Sequence, residues 1–257
     1  MPKIIKFSKS YENIFNIKKD FYINNKTNLN SSLKINKIYK KQPLRKSCKN
    51  CGSKNIKTFI KSFGVPYKLC LLCGHLNGAY QDTNVFAKKL YNQDGGKNYS
   101  KNYLDGYYQR VKNIYIPKVD FLNKVIKKKL KIIDLGCGGG HFIKALEMKK
   151  ISATGYETSK ELCSLGNKKL KKNKILLTSL NEIYQLPKKE DKANTLSLIH
   201  VLEHLVEPNR LMDSFVRSKL KYLYIAVPLF FINYFYRKFI SKYFSKTIIW
   251  WSYSFIY

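Results

Sequence analysis

Cys48-Lys-Asn-Cys51 and Cys70-Leu-Leu-Cys73 are two C-x-x-C pairs separated by eighteen residues, each followed by a glycine, Gly52 and Gly74. A turn of this length presents two thiolates to one tetrahedral ion, and a glycine next in line accepts the positive φ that aims backbone N–H groups at the sulfurs. Four sulfur ligands close the coordination shell of Zn2+, so the expected role of Cys48, Cys51, Cys70 and Cys73 is structural. His75 directly follows the second pair and is a substitute ligand, a substrate contact or a solvated side chain. Cys163 has no partner in the pattern and reads as a buried thiol.

A second constellation lies further along the chain. Lys131-Ile-Ile-Asp-Leu-Gly-Cys-Gly-Gly-Gly-His-Phe142 is an apolar strand that ends in an acid, Asp134, and runs into a glycine loop; an amphipathic helix over 141–150 follows. Gly136, Gly138 and Gly140 are spaced G-x-G-x-G, and His141 stands where a dinucleotide fingerprint needs its last glycine. The loop therefore suits a cofactor that needs close backbone approach but carries no pyrophosphate. Twenty-one residues after Gly136, the strand Ser152-Ala-Thr-Gly-Tyr-Glu ends on Glu157, placed to accept the two ribose hydroxyls of a nucleoside.

Two more strands are legible, Asn194–Ile199 and Lys221–Val227, the second closed by Pro228. Between them runs His200-Val-Leu-Glu-His-Leu-Val-Glu-Pro208. Glycine loop, acid and this block together resemble the class I S-adenosylmethionine-dependent methyltransferases, and the block looks like the L-E-H-L-x-x-P signature of their small-molecule branch. The resemblance covers about 131–228. It implies an α/β, Rossmann-like sheet in which Asp134, Gly136, Gly138 and Gly140 cradle the methionine end of S-adenosylmethionine, Glu157 holds the ribose, and the region of His200 to His204 faces the substrate. With the cysteine pairs and a Tyr-rich connector ahead of it, the chain also looks like methyltransferases of sugar and surface-polysaccharide modification, in which the zinc module and connector help close the substrate cleft. Tyr99, Tyr103, Tyr107, Tyr108 and Tyr115 partly share a helical face; they either pack between modules or form a lid that donates phenol hydroxyls to a sugar.

Methyl transfer to a hydroxyl or carbon acid requires removal of a proton, and histidine is the usual base near neutrality. His200 and His204 are four apart and share a face if helical, with Glu203 available to orient one of them. His204 is the preferred base, His200 the second choice; the bland alternative is that Glu203 and His204 merely hold the loop. His141 is expected to cap or pack.

The 257 residues accommodate a small module and a medium domain. The divisions expected are a basic extension at 1–44, a zinc-binding module at 45–80, a connector or lid at 81–127, a methyltransferase core at 128–228 and an aromatic, basic tail at 229–257. The net charge of +33 invites a nucleic-acid reading. The lysines, however, are spread along the chain with only five arginines beside them, and arginine is the residue favoured for bidentate phosphate recognition. The charge reads as compositional, matching the Lys-, Asn- and Ile-rich codons of an A/T-rich gene. A ribosomal or transfer RNA methyltransferase is thus the alternative, and a truncated pseudoenzyme or zinc-dependent binding module the third reading.

The start, Met1–Asp20, lacks the apolar run of a secretory signal, and the longest uncharged stretch, Tyr222–Tyr236, is too short to span a bilayer. A cytoplasmic location is expected, where reduced cysteines are metal ligands or free thiols. The segment Leu229–Tyr257 contains Trp250-Trp251 and no acid, unlike the helix and hairpin with which class I domains complete their sheet. It is either a membrane-surface tail or the product of a frameshift near Phe230. Codons allowed for the tail, read one base later, can spell an acid, prolines, a Gly-Gly turn and a His-x-His pair. The sheet is accordingly expected to be incomplete after strand five; the gene's nucleotide sequence decides between the readings.

Overall fold

The computed structural model describes residues 25–91 and 106–227. Their contacts divide into two units: 25–90 with Leu202–Asn209 and 226–227, and residue 91 with 106–201 and Arg210–Ile225. The expected tail, its Trp pair, Tyr99 and Tyr103 all lie outside the described residues. Among those described, no helix is long and apolar enough to cross a membrane.

The first unit opens with α1 (Asn25–Tyr39) and continues with the strands β1 (Ile56–Ser62), β2 (Val65–Cys70) and β3 (Leu76–Gly78) and with α2 (Asn84–Tyr91). The strands form an antiparallel sheet in chain order. Ser62 pairs with Val65, which leaves Phe63 and Gly64 as a two-residue turn with φ of 47° and 77°. Two positive φ values are what a type I′ hairpin demands, because that turn matches the twist of the strands it joins. Asn36 Nδ2 donates to the Phe63 carbonyl at 3.1 Å and ties α1 to this turn. Among the described residues one apolar cluster has Tyr39, Val65 and Phe86 buried, with Ile35, Ile38, Tyr67 and Tyr80 against them. Tyr39 also donates to the Tyr80 carbonyl at 2.6 Å.

The second unit holds the larger sheet. Its strands are β4 (Lys131–Leu135), β5 (Ser152–Glu157), β6 (Lys174–Leu177), β7 (Thr195–Ile199) and β8 (Tyr222–Ala226), in the order β6-β5-β4-β7-β8. β4 pairs in parallel with both β5 and β7, and β5 in parallel with β6. Four of the five residues of β4 and of β7 are buried, the near-continuous burial of strands covered on both faces. The expected α/β Rossmann-like architecture is therefore present. Helices α3 (Tyr107–Arg110), α4 (Ile116–Val125), α5 (His141–Met148), α6 (Lys160–Asn167), α7 (Leu186–Lys189) and α8 (Pro208–Val216) complete the described elements. Ser159 caps α6 by accepting from the Leu162 N–H at 3.3 Å. The helix after the glycine loop stops at Met148, two residues short of expectation, because Lys150 turns to a φ of 58°.

Between α3 and α4 the chain makes a π-turn over Val111–Tyr115. Residues eight apart on an unbroken α-helix point about 80° apart, and the residue absorbed by a π-turn reduces that to about 20°. Tyr107 and Tyr115 consequently reach one target. Their rings lie 4.2 and 5.5 Å from the ring of His141, centroid to centroid. These tyrosines pack beside the first helical residue after the glycine loop, and His141, 2% exposed, is a packing residue as expected.

Candidate functional site

A parallel sheet delivers the carboxyl ends of its strands to one edge, and ligands of open α/β sheets bind where the strand order reverses. Here the reversal flanks β4, whose two neighbours are β5 and β7. The glycine loop leaves β4, Glu157 ends β5 and His200 follows β7, so topology gathers three of the sequence-predicted positions at one edge.

The loop is built on left-handed backbone at its three spaced glycines. Gly136, Gly138 and Gly140 have φ of 63°, 55° and 74°, a region that other residues enter at a cost. Space is also short: a Cβ at Gly136 would approach Val201 Cγ2 to 2.7 Å, and one at Gly140 would approach Ile175 Cδ1 to 2.6 Å. Both approaches are to the protein's own side chains, so glycine at 136 and 140 serves packing as well as φ.

Glu157 is tied directly to this loop. One carboxylate oxygen accepts from the Gly138 N–H at 2.8 Å. The other accepts from the Thr158 and Ser159 N–H groups at 2.7 and 3.0 Å and from the Thr158 hydroxyl at 3.2 Å. The second lone pair of Oε2 is uncommitted by these bonds, leaving an acceptor position for a ligand hydroxyl.

Asp134 lies lower, 2% exposed, opposite Gly155 on β5 and Ser197 on β7. The Ser197 hydroxyl donates to it at 2.7 Å. Burial raises its pKa from 3.8 to about 7, against the Ser197 hydrogen bond and with the charge of Glu157 adding to the rise. The folded chain therefore keeps this proton across a window, about pH 4 to 7, in which the unfolded chain has released it. Stability from this source is present below the unfolded pKa and is lost as pH rises through the folded one. Asp134→Asn, which keeps the shape, is expected to flatten that fall; denaturant unfolding at pH 4.5 and 7.5 measures it, and an unchanged slope would contradict it.

Two residues of this site were not singled out in the sequence. Ser197 is one polar residue in an apolar strand, a pattern that suggests a buried partner but does not say which. Cys137 lies inside the loop, and a Cβ at Gly155 would meet its Sγ at 2.6 Å; Gly155 is small so that the loop can lie against β5. Cys163 is a buried thiol as expected, its Sγ 3.7 Å from the Glu157 carbonyl.

His200 and His204 do not share a helical face. His200 has a φ of 56°, and only Leu202–His204 forms a short 3-10 turn. A left-handed residue at the end of β7 breaks the run needed for i, i+4 neighbours. The two also belong to different units: Leu202–Asn209, with Glu203 and His204, groups with the cysteine-bearing unit.

In that unit the four cysteine sulfurs lie within 4.8 Å of one another. Cys48 and Cys73 are 3.7 Å apart, Cys51 and Cys70 3.6 Å. Tetrahedral zinc with Zn–S bonds of ~2.3 Å has edges of about 3.8 Å, so the donor set fits that ion. Gly52 and Gly74 take φ of 72° and 70°, and the His75 N–H pulls the Cys73 thiol down to about 6. Asn77, 1% exposed and missed in the sequence, braces the first knuckle. It accepts from the Lys49 N–H at 2.8 Å and donates toward Cys48 Sγ at 3.5 Å and to the His75 carbonyl at 3.1 Å. His75 is outside the sulfur cluster and half-buried, with its Nε2 buried and without a hydrogen-bond partner. Burial, then the charges of Lys49 and Arg45, lowers its pKa.

A family described as a methyltransferase domain matches residues 107–254. No curated protein matches the chain. Solved structures similar to it include the plantazolicin methyltransferase BamL in complex with a triazolic desmethyl analogue and SAH. That match is 18% identical with a TM-score of 0.41 over 51% of this chain and 50% of the other. Another is a SAM-dependent methyltransferase from Thermotoga maritima, described as a possible histamine N-methyltransferase, at 17% identity and a TM-score of 0.41 over 59% and 68%. A third is WbdD in complex with a kinase inhibitor, at 18% identity and 0.37 over 47% and 30%. The chain spans about half the length of the first of these.

Proposed function

The chain belongs to the methyltransferase-domain family, and from that premise we propose that it methylates a small molecule, a sugar or nucleotide-sugar, with S-adenosylmethionine as donor. The observation that carries this reading is the glycine loop fastened to Glu157 through the Gly138 N–H at the carboxyl edge of a parallel sheet. That arrangement sets a ribose acceptor beside the loop.

When bound, S-adenosylmethionine supplies an electrophilic methyl group. The chain's task is then alignment and exclusion of water. Asp134, Gly136, Gly138 and Gly140 cradle the methionine portion, and Glu157 accepts a ribose hydroxyl. His204 takes the proton of the acceptor, with Glu203 orienting it and His200 as the second candidate. Cys48, Cys51, Cys70 and Cys73 hold zinc as a structural ion. His204→Ala is expected to leave cofactor affinity within about twofold and to slow transfer by about a hundredfold or more, the scale of a general base. Calorimetry and turnover measured side by side decide: equal losses in both make His204 a scaffold residue.

The net charge of +33 favours one other acceptor, an RNA. Labelled cofactor offered with nucleotide-sugars and with RNA tests both. Turnover that depends on RNA, with heparin retention collapsing steeply in salt, replaces the sugar reading; failure to bind the cofactor at all replaces the enzyme reading with a binding module.

A further inference from the structure

Of the two residues enclosed by the first cysteine pair, Asn50 is hydrogen-bonded to the segment Leu202–Asn209 and Lys49 anchors the turn that carries it. A residue between knuckle cysteines is commonly solvated, yet the Lys49 side chain is only 6% exposed. A buried ammonium needs charged partners, since its desolvation is otherwise uncompensated. Asp82 provides one: its Oδ2 accepts from Lys49 Nζ at 2.8 Å and from Arg45 Nη2 at 3.1 Å. This pairing anchors the knuckle turn. Asn50 ties the segment to that turn, its carbonyl accepting from Asn209 Nδ2 at 2.7 Å. Leu205, within the segment, is 5% exposed.

We propose that Lys49 and Asn50 are positioning residues, through which the first cysteine knuckle sets the placement of Glu203 and His204. Metal binding by Cys48 and Cys51 then does more than hold three short strands together. It fixes the turn whose carbonyl seats the segment assigned to the acceptor; that assignment rests on the function proposed above, whereas the seating does not.

Hydrogen exchange on the full chain, loaded with zinc, tests the seating without any acceptor. In a Lys49→Gln, Asn209→Ala double variant, amides of 202–209 are expected to exchange about tenfold faster or more. Zinc stoichiometry, cofactor affinity and the exchange of β1 and β2 should stay unchanged, and Lys49→Arg should restore most of the protection. Unchanged exchange over 202–209 overturns the proposal, and so does acceleration spread equally over β1 and β2, which would make Lys49 a general fold residue. Where an acceptor is turned over, Lys49→Gln should lower kcat with little change in the cofactor's dissociation constant. Absence of turnover in the wild-type chain counts against the proposed function and leaves the exchange result to stand by itself.

Discussion

Glu157→Gln should weaken S-adenosylmethionine binding by about a hundredfold or more, the largest effect expected of any single substitution at the sheet edge. The carboxylate accepts from four protein donors, three of them backbone N–H groups. An amide of the same shape must present an NH2 either to Gly138 or to the pair at Thr158 and Ser159, so one set of donors meets a donor. Hydrogen bonds to a charged group are worth about 1.5–3 kcal/mol each, and the variant forfeits one to the loop and one to the ribose. Because the first of these also holds the apo loop, the melting temperature should fall together with affinity. Calorimetry with the cofactor and a thermal melt without it separate the two losses. Normal affinity in the variant would remove Glu157 from the site and with it the main support for the proposed cofactor.

What the sequence made legible follows the reach of each signal. The strand ending at Glu157 could be bounded at both ends because Gly155 and the acid interrupt an otherwise simple alternation. The three loop glycines could be read as a cofactor loop from their spacing and the acid that follows, whereas their positive φ is seen only in the structure. The cysteine pairs carry their partner in their own repeat. Asn77 and Ser197 carry no such mark: a lone amide or hydroxyl says that a partner exists, and only the fold supplies Cys48 or Asp134. The π-turn at Val111–Tyr115 was equally hidden, since it is detected by what Tyr107 and Tyr115 jointly contact. The grouping of Leu202–Asn209 with residues 25–90 departs furthest from a linear reading. One determinant, the hydrogen bond from Asn209 to Asn50, connects positions 159 residues apart.

Cys70→Ser is the second substitution from which a large effect is expected, and it should act on one unit alone. Among the described residues the apolar cluster around Tyr39, Val65 and Phe86 is small, and three short strands seldom supply the burial that offsets their ordering entropy. The polar bracing of Arg45, Lys49 and Asp82 does not close that gap, because a buried ion pair roughly cancels its own desolvation. A four-cysteine zinc ion does, contributing on the order of 10 kcal/mol in small zinc domains. The protein as isolated should therefore hold one zinc ion per chain. Cys70→Ser should lose it, with amides of β1 and β2 exchanging at close to unfolded rates. The glycine loop, Asp134 and Glu157 belong to the other unit, so cofactor affinity should change by no more than about threefold, the error of treating separate units as independent. Metal analysis, hydrogen exchange and calorimetry on the one variant read all three consequences. Retained zinc would show that the cysteines are not its ligands, whereas lost cofactor affinity would show that the two units fold as one.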